Sequence, residues 1–128
     1  MVRRPQEVPD AELAVLQVLW ERGACTRRQL ADVLYPGGAA SGFTTVQKLL
    51  ERLGKKGLVR RVEGADPVTY AAALGRDDFI ARRLREVSDK LCGGSLTPLL
   101  MNLARVRPLT EAELEELRAF LRQQSEGR

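Results

Sequence analysis

The 128 residues suit one or two small domains, and 44% apolar with 30% charged residues is the balance of a soluble globular protein. No apolar run approaches the roughly 20 residues that span a bilayer. "MVRRPQEVPD" has no apolar core behind its basic residues, so no signal peptide and no membrane association are expected, and the cytoplasm is the default compartment. The net charge of +4 is uneven: residues 1–62 hold eleven Lys or Arg against six Asp or Glu, while residues 63–128 hold ten against eleven. The basic excess in the first half is consistent with a polyanionic partner there.

Cys25 and Cys92 lie far apart with no second cysteine at metal-ligand spacing, and the chain has no histidine. A zinc site would need an unusual ligand set, and the commonest general base and the usual triads are missing. Neither a metal, another cofactor nor an enzymatic activity is expected. Both cysteines read as small core or half-buried residues.

In chain order, Asp10 is a candidate N-cap for a first helix with Leu13, Leu16, Leu19 and Trp20 on its apolar face, stopped by Gly23. Thr26 caps a short second helix, "RRQLADVLY", with Leu30, Val33 and Leu34 inward. "PGGAASG" reads as a loop. A third helix begins at Ser41 or at Phe43–Thr44, buries Val46, Leu49, Leu50 and Leu53, and closes at Gly57. "LVRRV", "EGADP" and "VTYAA" then read as strand, turn and strand. Three helices followed by a hairpin is the order of a winged helix-turn-helix, assigned to residues 7–75.

The remainder, residues 76–124, reads as helical. Ile80, Leu84, Val87 and Leu91 recur at steps of four, three and four, a short coiled-coil-like seam. Gly93 and Gly94 break the chain, Ser95 can cap a fifth helix with Leu96, Leu99, Leu100 and Leu103 inside, and Thr110 with Glu113 has capping-box spacing before Leu114, Leu117 and Leu121. Three short helices with wide apolar faces make a thin core alone. Pairing with a second copy is the economical solution, and packing back on the first domain is the alternative. The fold class is therefore mainly α: a winged helix-turn-helix, three helices plus a β-hairpin wing, followed by a C-terminal helical dimerisation region.

With its apolar stripe buried, the third helix turns Thr44, Gln47, Lys48, Glu51, Arg52 and Lys55 outward, with Thr45 to one side. Periodicity alone fits a solvated amphipathic helix. The basic half, the helix order and the hairpin point instead to a helix, residues 44–56, that reads DNA. Small Thr side chains at 44 and 45 allow close approach to bases, Gln47 suits adenine, and Lys48 reaches guanine or phosphate. Arg52, Lys55 and Lys56 suit phosphates, as do Arg60 and Arg61 on the first strand. Glu51 does not fit that role and is expected to pair with Lys55 at i,i+4. Glu63 and Asp66 make the wing tip acidic, so it either stays away from DNA or leaves the contacts to the strand flanks. Arg3 and Arg4 are candidates for a minor-groove arm.

"ELAVLQVLWERGACTRRQLADVL", "FTTVQKLLERLGKKGLVRR", "FIARRLREVSDKLCGGSLTPLL" and "LTEAELEELRAFL" resemble, in that order, the penicillinase-repressor family of BlaI/MecI-like regulators, from about residue 7 to residue 123. The resemblance implies a homodimeric winged-helix transcriptional repressor that binds double-stranded, dyad-symmetric operator DNA. It puts Thr44, Thr45, Gln47 and Lys48 at operator-contacting positions. It puts the seam Ile80, Leu84, Val87 and Leu91, with Leu99, Leu100, Leu103, Leu114, Leu117 and Leu121 of the last two helices, in the dimer interface. Some members are inactivated by a sensor-activated protease that cuts after an Asn in a C-terminal helix. Asn102–Leu103 stands at that place, with Leu where the better-known pattern has an aromatic. A copper-responsive branch ends in a cysteine-rich tail; "RQQSEGR" has none, so metal sensing of that kind is not expected. Winged helices also serve as protein-interaction modules and ligand-sensing regulators, so these remain the alternatives.

Overall fold

The computed structural model describes residues 7–127. The elements are α1 (Asp10–Arg22), β1 (Cys25–Thr26), α2 (Arg27–Leu34), α3 (Ala40–Lys55), β2 (Val59–Arg61), β3 (Thr69–Ala72), α4 (Arg76–Leu91), α5 (Thr97–Val106) and α6 (Glu111–Glu126). They form two compact units, one up to Arg83 and one from Leu84 onward.

In the first unit, α1 starts one residue earlier than a cap at Asp10 requires. Pro9 is the N-cap, and Asp10 and Glu12 lie in the first turn, where carboxylates suit the positive end of the helix dipole. Thr26 caps α2 as expected, and the cap is reciprocal: its hydroxyl accepts from the Gln29 backbone N–H, and the Gln29 side chain accepts from the Thr26 N–H. Val33, expected inward, is exposed on α2, while Leu30 is fully buried and Leu34 half-buried. An eight-residue helix turns only a narrow face to the core, and Leu30 and Ala31 fill it.

α3 begins at Ala40, so part of the expected loop is helical. Gly42 explains why small residues stand there: a Cβ at that position would lie 2.7 Å from the Cβ of Tyr35. The glycine lets α3 approach the end of α2. Val46, Leu49, Leu50 and Leu53 are buried as the periodicity predicts, against Val15, Leu16 and Leu19 of α1 and Leu30 of α2 in one core. Each fully buried aliphatic side chain is worth about 1.5–3 kcal/mol relative to exposure.

β2 and β3 form the predicted hairpin, pairing Val59 with Ala72 and Arg61 with Tyr70. β1 joins β3 on its other edge, giving the antiparallel order β1-β3-β2. The first turns of α4 belong to this unit. Phe79 packs 5.4 Å from the Trp20 ring, and Trp20 Nε1 donates to the Leu74 carbonyl at 2.9 Å.

In the second unit, the chain break after α4 is closed by polar contacts. The buried Ser88 donates its hydroxyl to the Ser95 carbonyl at 3.1 Å, and the Gly94 N–H donates to the Ser88 carbonyl at 3.0 Å. Gly93 and Gly94 both have φ in the left-handed region, 57° and 83°, which glycine adopts without strain. α5 has Leu96 rather than Ser95 as its N-cap, with no side-chain cap and a proline in its first turn. α6 has the predicted Thr110–Glu113 capping box. Neither α5 nor α6 contains a buried residue. Among the described residues, no helix is long and apolar enough to cross a membrane.

Candidate nucleic-acid interface

The buried stripe of α3 fixes which residues it turns outward. Thr44, Thr45, Gln47, Lys48, Glu51, Arg52 and Lys55 are all exposed. The two threonines are locally committed: Thr44 Oγ1 donates to the Ala40 carbonyl at 3.1 Å and Thr45 Oγ1 to the Ser41 carbonyl at 2.8 Å. With each hydroxyl proton turned back along the helix, the methyls and the oxygen lone pairs are left for a partner. That chemistry suits thymine methyls and amino groups rather than phosphate oxygens.

The hairpin brings Arg60 and Arg61 beside this face. Arg61 lies over the Tyr70 ring, 6.0 Å from its centroid. Between α3 and the hairpin is a concavity of about 290 Å³, lined in part by Arg27, Gln47, Glu51, Arg60, Arg61 and Tyr70. Arg27 was not singled out by sequence reasoning, nor was Arg28. Their guanidinium carbons sit 5.5 and 5.2 Å from the centroid of Phe43, near the start of α3. An Arg-Arg pair at the head of the second helix, followed by an aromatic early in the third, was the available signal.

Two residues have surroundings that the sequence did not indicate. Lys56 lies at the C-cap of α3, and its ammonium group is engaged: Nζ is 2.6 Å from a carboxylate oxygen of Glu12 and 2.5 Å from the Glu7 carbonyl. The Glu12 side chain is only 3% exposed, so this cation compensates a buried carboxylate and ties α3 to α1. Glu51 does not pair with Lys55: among the described residues no ion pair joins them. Both side chains are exposed, where the modest Coulomb gain is offset by the entropy of holding two long chains.

Glu63 and Asp66 are exposed in the turn of the hairpin. Arg3 and Arg4 lie outside the described residues. In the C-terminal half, Ile80, Leu84, Val87, Leu91, Leu100, Leu103 and Leu121 are exposed in the single chain, whereas Leu99, Leu114 and Leu117 are half-buried. Asn102 lies within α5, where Nδ2 donates to the Pro98 carbonyl at 2.8 Å and Oδ1 accepts from Arg105 at 3.2 Å.

Three helices, the third with a basic and small-residue face, followed by a hairpin that flanks this face with arginines, define a winged helix-turn-helix regulator. The penicillinase repressor family model matches residues 8–123. The chain belongs to that family, whose members are DNA-binding transcriptional repressors. It is similar to the penicillinase repressor of Staphylococcus aureus, 26% identical over 121 residues that cover 94% of this chain and 95% of that protein. The penicillinase repressor of Bacillus licheniformis is 23% identical over 94% of this chain and 93% of its own. The methicillin resistance regulatory protein MecI of Staphylococcus aureus strain N315 is 23% identical over 94% of this chain and 98% of its own.

Proposed function

We propose that the chain works as a homodimeric repressor that reads a dyad-symmetric operator with one α3 from each copy. The observation that carries this reading is the outward face of α3. Thr44, Thr45, Gln47 and Lys48 are exposed together, with Arg60 and Arg61 alongside. In this reading the first four contact base edges in the major groove. Arg52, Lys55, Arg60 and Arg61 contact phosphates, joined by Arg27 and Arg28. Lys56 is left to its pair with Glu12.

The homodimer rests on unburied apolar surface. Leu91 is 79% and Val106 85% exposed, and large apolar side chains at 84, 87, 96, 100, 101, 103 and 121 are exposed with them. Exposed apolar surface on this scale marks an interaction site. In this reading the seam of Ile80, Leu84, Val87 and Leu91 would meet its counterpart in a second copy, with α5 and α6, about a two-fold axis. Two readers related by that axis would meet half-sites about one helical turn, or a multiple of it, apart. Relief of repression by a cut after Asn102 would require α5 to unwind first, because the peptide to be cut is helical and Asn102 is hydrogen-bonded within it.

Selection of genomic fragments by the purified protein tests the function. The expected result is enrichment of a short inverted repeat whose binding weakens steeply with salt. Recovery of fragments with no shared sequence would refute it.

A further inference from the structure

Glu51 is the one carboxylate on the outward face of α3. It lies one turn after Gln47 and lines the concavity with Arg27, Arg60 and Arg61, yet among the described residues it forms no ion pair with any of them. A carboxylate here weakens the attraction of a basic face for phosphates and is repelled by any backbone brought against it. Its desolvation in a complex is compensated only where a hydrogen-bond donor meets it. Of the two amine donors in the major groove, adenine N6 sits beside the N7 acceptor, which repels a carboxylate, so the exocyclic amine of cytosine is the one matched to an acidic side chain.

We propose that Glu51 is a specificity-determining residue, accepting a hydrogen bond from cytosine N4 in each half-site; this rests on the DNA-binding reading of α3. Four residues of helix advance about 6 Å. That is less than two base steps of ~3.4 Å, so the cytosine lies within about two base pairs of the base met by Gln47. The same carboxylate penalises sequences without an amine at that point, so it lowers binding to random DNA while sharpening choice.

The test is selection from a randomised duplex pool with the wild-type protein, Glu51→Ala and Glu51→Gln. All three should fold alike, since Glu51 is exposed and makes no ion pair within the described chain. The wild type should prefer cytosine at one position per half-site. Glu51→Ala should lose that preference, a change of about five- to 100-fold in discrimination. Glu51→Gln should shift it toward adenine, the base that an amide pairs with. Both variants should bind random duplex several-fold more tightly. If the wild type selects an inverted repeat and Glu51→Ala selects the same bases at every position, the Glu51 contact is overturned while the DNA reading stands. Tighter random binding without any altered base preference overturns it equally. If the wild type selects no sequence, the DNA reading fails and the role of Glu51 falls with it.

Discussion

Replacing Lys56 with Met separates two roles for one basic residue. Its ammonium group sits 2.6 Å from Glu12, whose side chain is 3% exposed, while the Lys56 side chain is 23% exposed. Methionine keeps the apolar stem and removes the charge, leaving a buried carboxylate without its cation. Breaking one partner of a buried pair costs about 3–5 kcal/mol. Because water reaches the lysine side, the lower end applies, about 3 kcal/mol. Against a total stability of about 5–15 kcal/mol this is a large loss. At roughly 4–8 °C per kcal/mol for a unit of this size, the midpoint should fall by roughly 12–24 °C. Urea unfolding of the wild type, Lys56→Met, Glu12→Leu and the double variant measures the free-energy loss, and thermal unfolding measures the shift in midpoint. The double variant should regain much of the loss, because it buries no charge. The opposite outcome is that Lys56→Met unfolds within about 0.5 kcal/mol of the wild type while its salt dependence on DNA drops by about one phosphate contact. That pair of results would return Lys56 to the backbone.

Three further outcomes are expected. Leu84→Asp with Leu91→Asp should give a folded monomer in sedimentation, because both side chains are already exposed in the single chain and the change touches only the proposed interface; an intact dimer would place the interface elsewhere. Arg60→Ala with Arg61→Ala should weaken specific and random duplexes alike and lower the slope of log affinity against log salt by about 0.9 per contact; a loss confined to specific duplex would make them base readers. The third concerns Glu113, whose carboxyl is held down from 4.5 to about 2 by the Arg107 hydrogen bond first and then by Thr110. Its support for α6 is therefore complete above its ordinary value of 4.5 and fades as pH falls from there toward about 2. A side-chain NMR titration should place the midpoint near 2 in the wild type and higher in Arg107→Ala; equal midpoints would contradict the pairing.

Much of the first unit was legible because its signals are local. The stripe from Val46 to Leu53 repeats at helical spacing, Thr26 stands where a capping residue is needed, and "EGADP" punctuates two apolar strands; in the second unit Thr110 stands three residues before Glu113. What stayed hidden depends on partners distant in sequence. Lys56 reads as one more phosphate cation until Glu12, 44 residues away, is brought to it. Gly42 looks like loop until Tyr35 shows why a helix needs a glycine there. Arg27 and Arg28 gain meaning only beside Phe43. β1 has two residues, too few for any period to register. The apolar positions of α5 were expected inside, and in the single chain Leu96, Leu100 and Leu103 are exposed. Periodicity identifies the face that needs covering and leaves open which surface covers it.

On the proposed function, the Thr44–Lys48 corner of α3 reads sequence. Its most direct test compares the wild type with Gln47→Ala plus Lys48→Ala on the selected inverted repeat and on random duplex of equal length, at one salt concentration. Preference for the repeat should fall at least tenfold, since each good base contact is worth about 1–3 kcal/mol, while random binding should change far less. An undiminished preference for the repeat would contradict it.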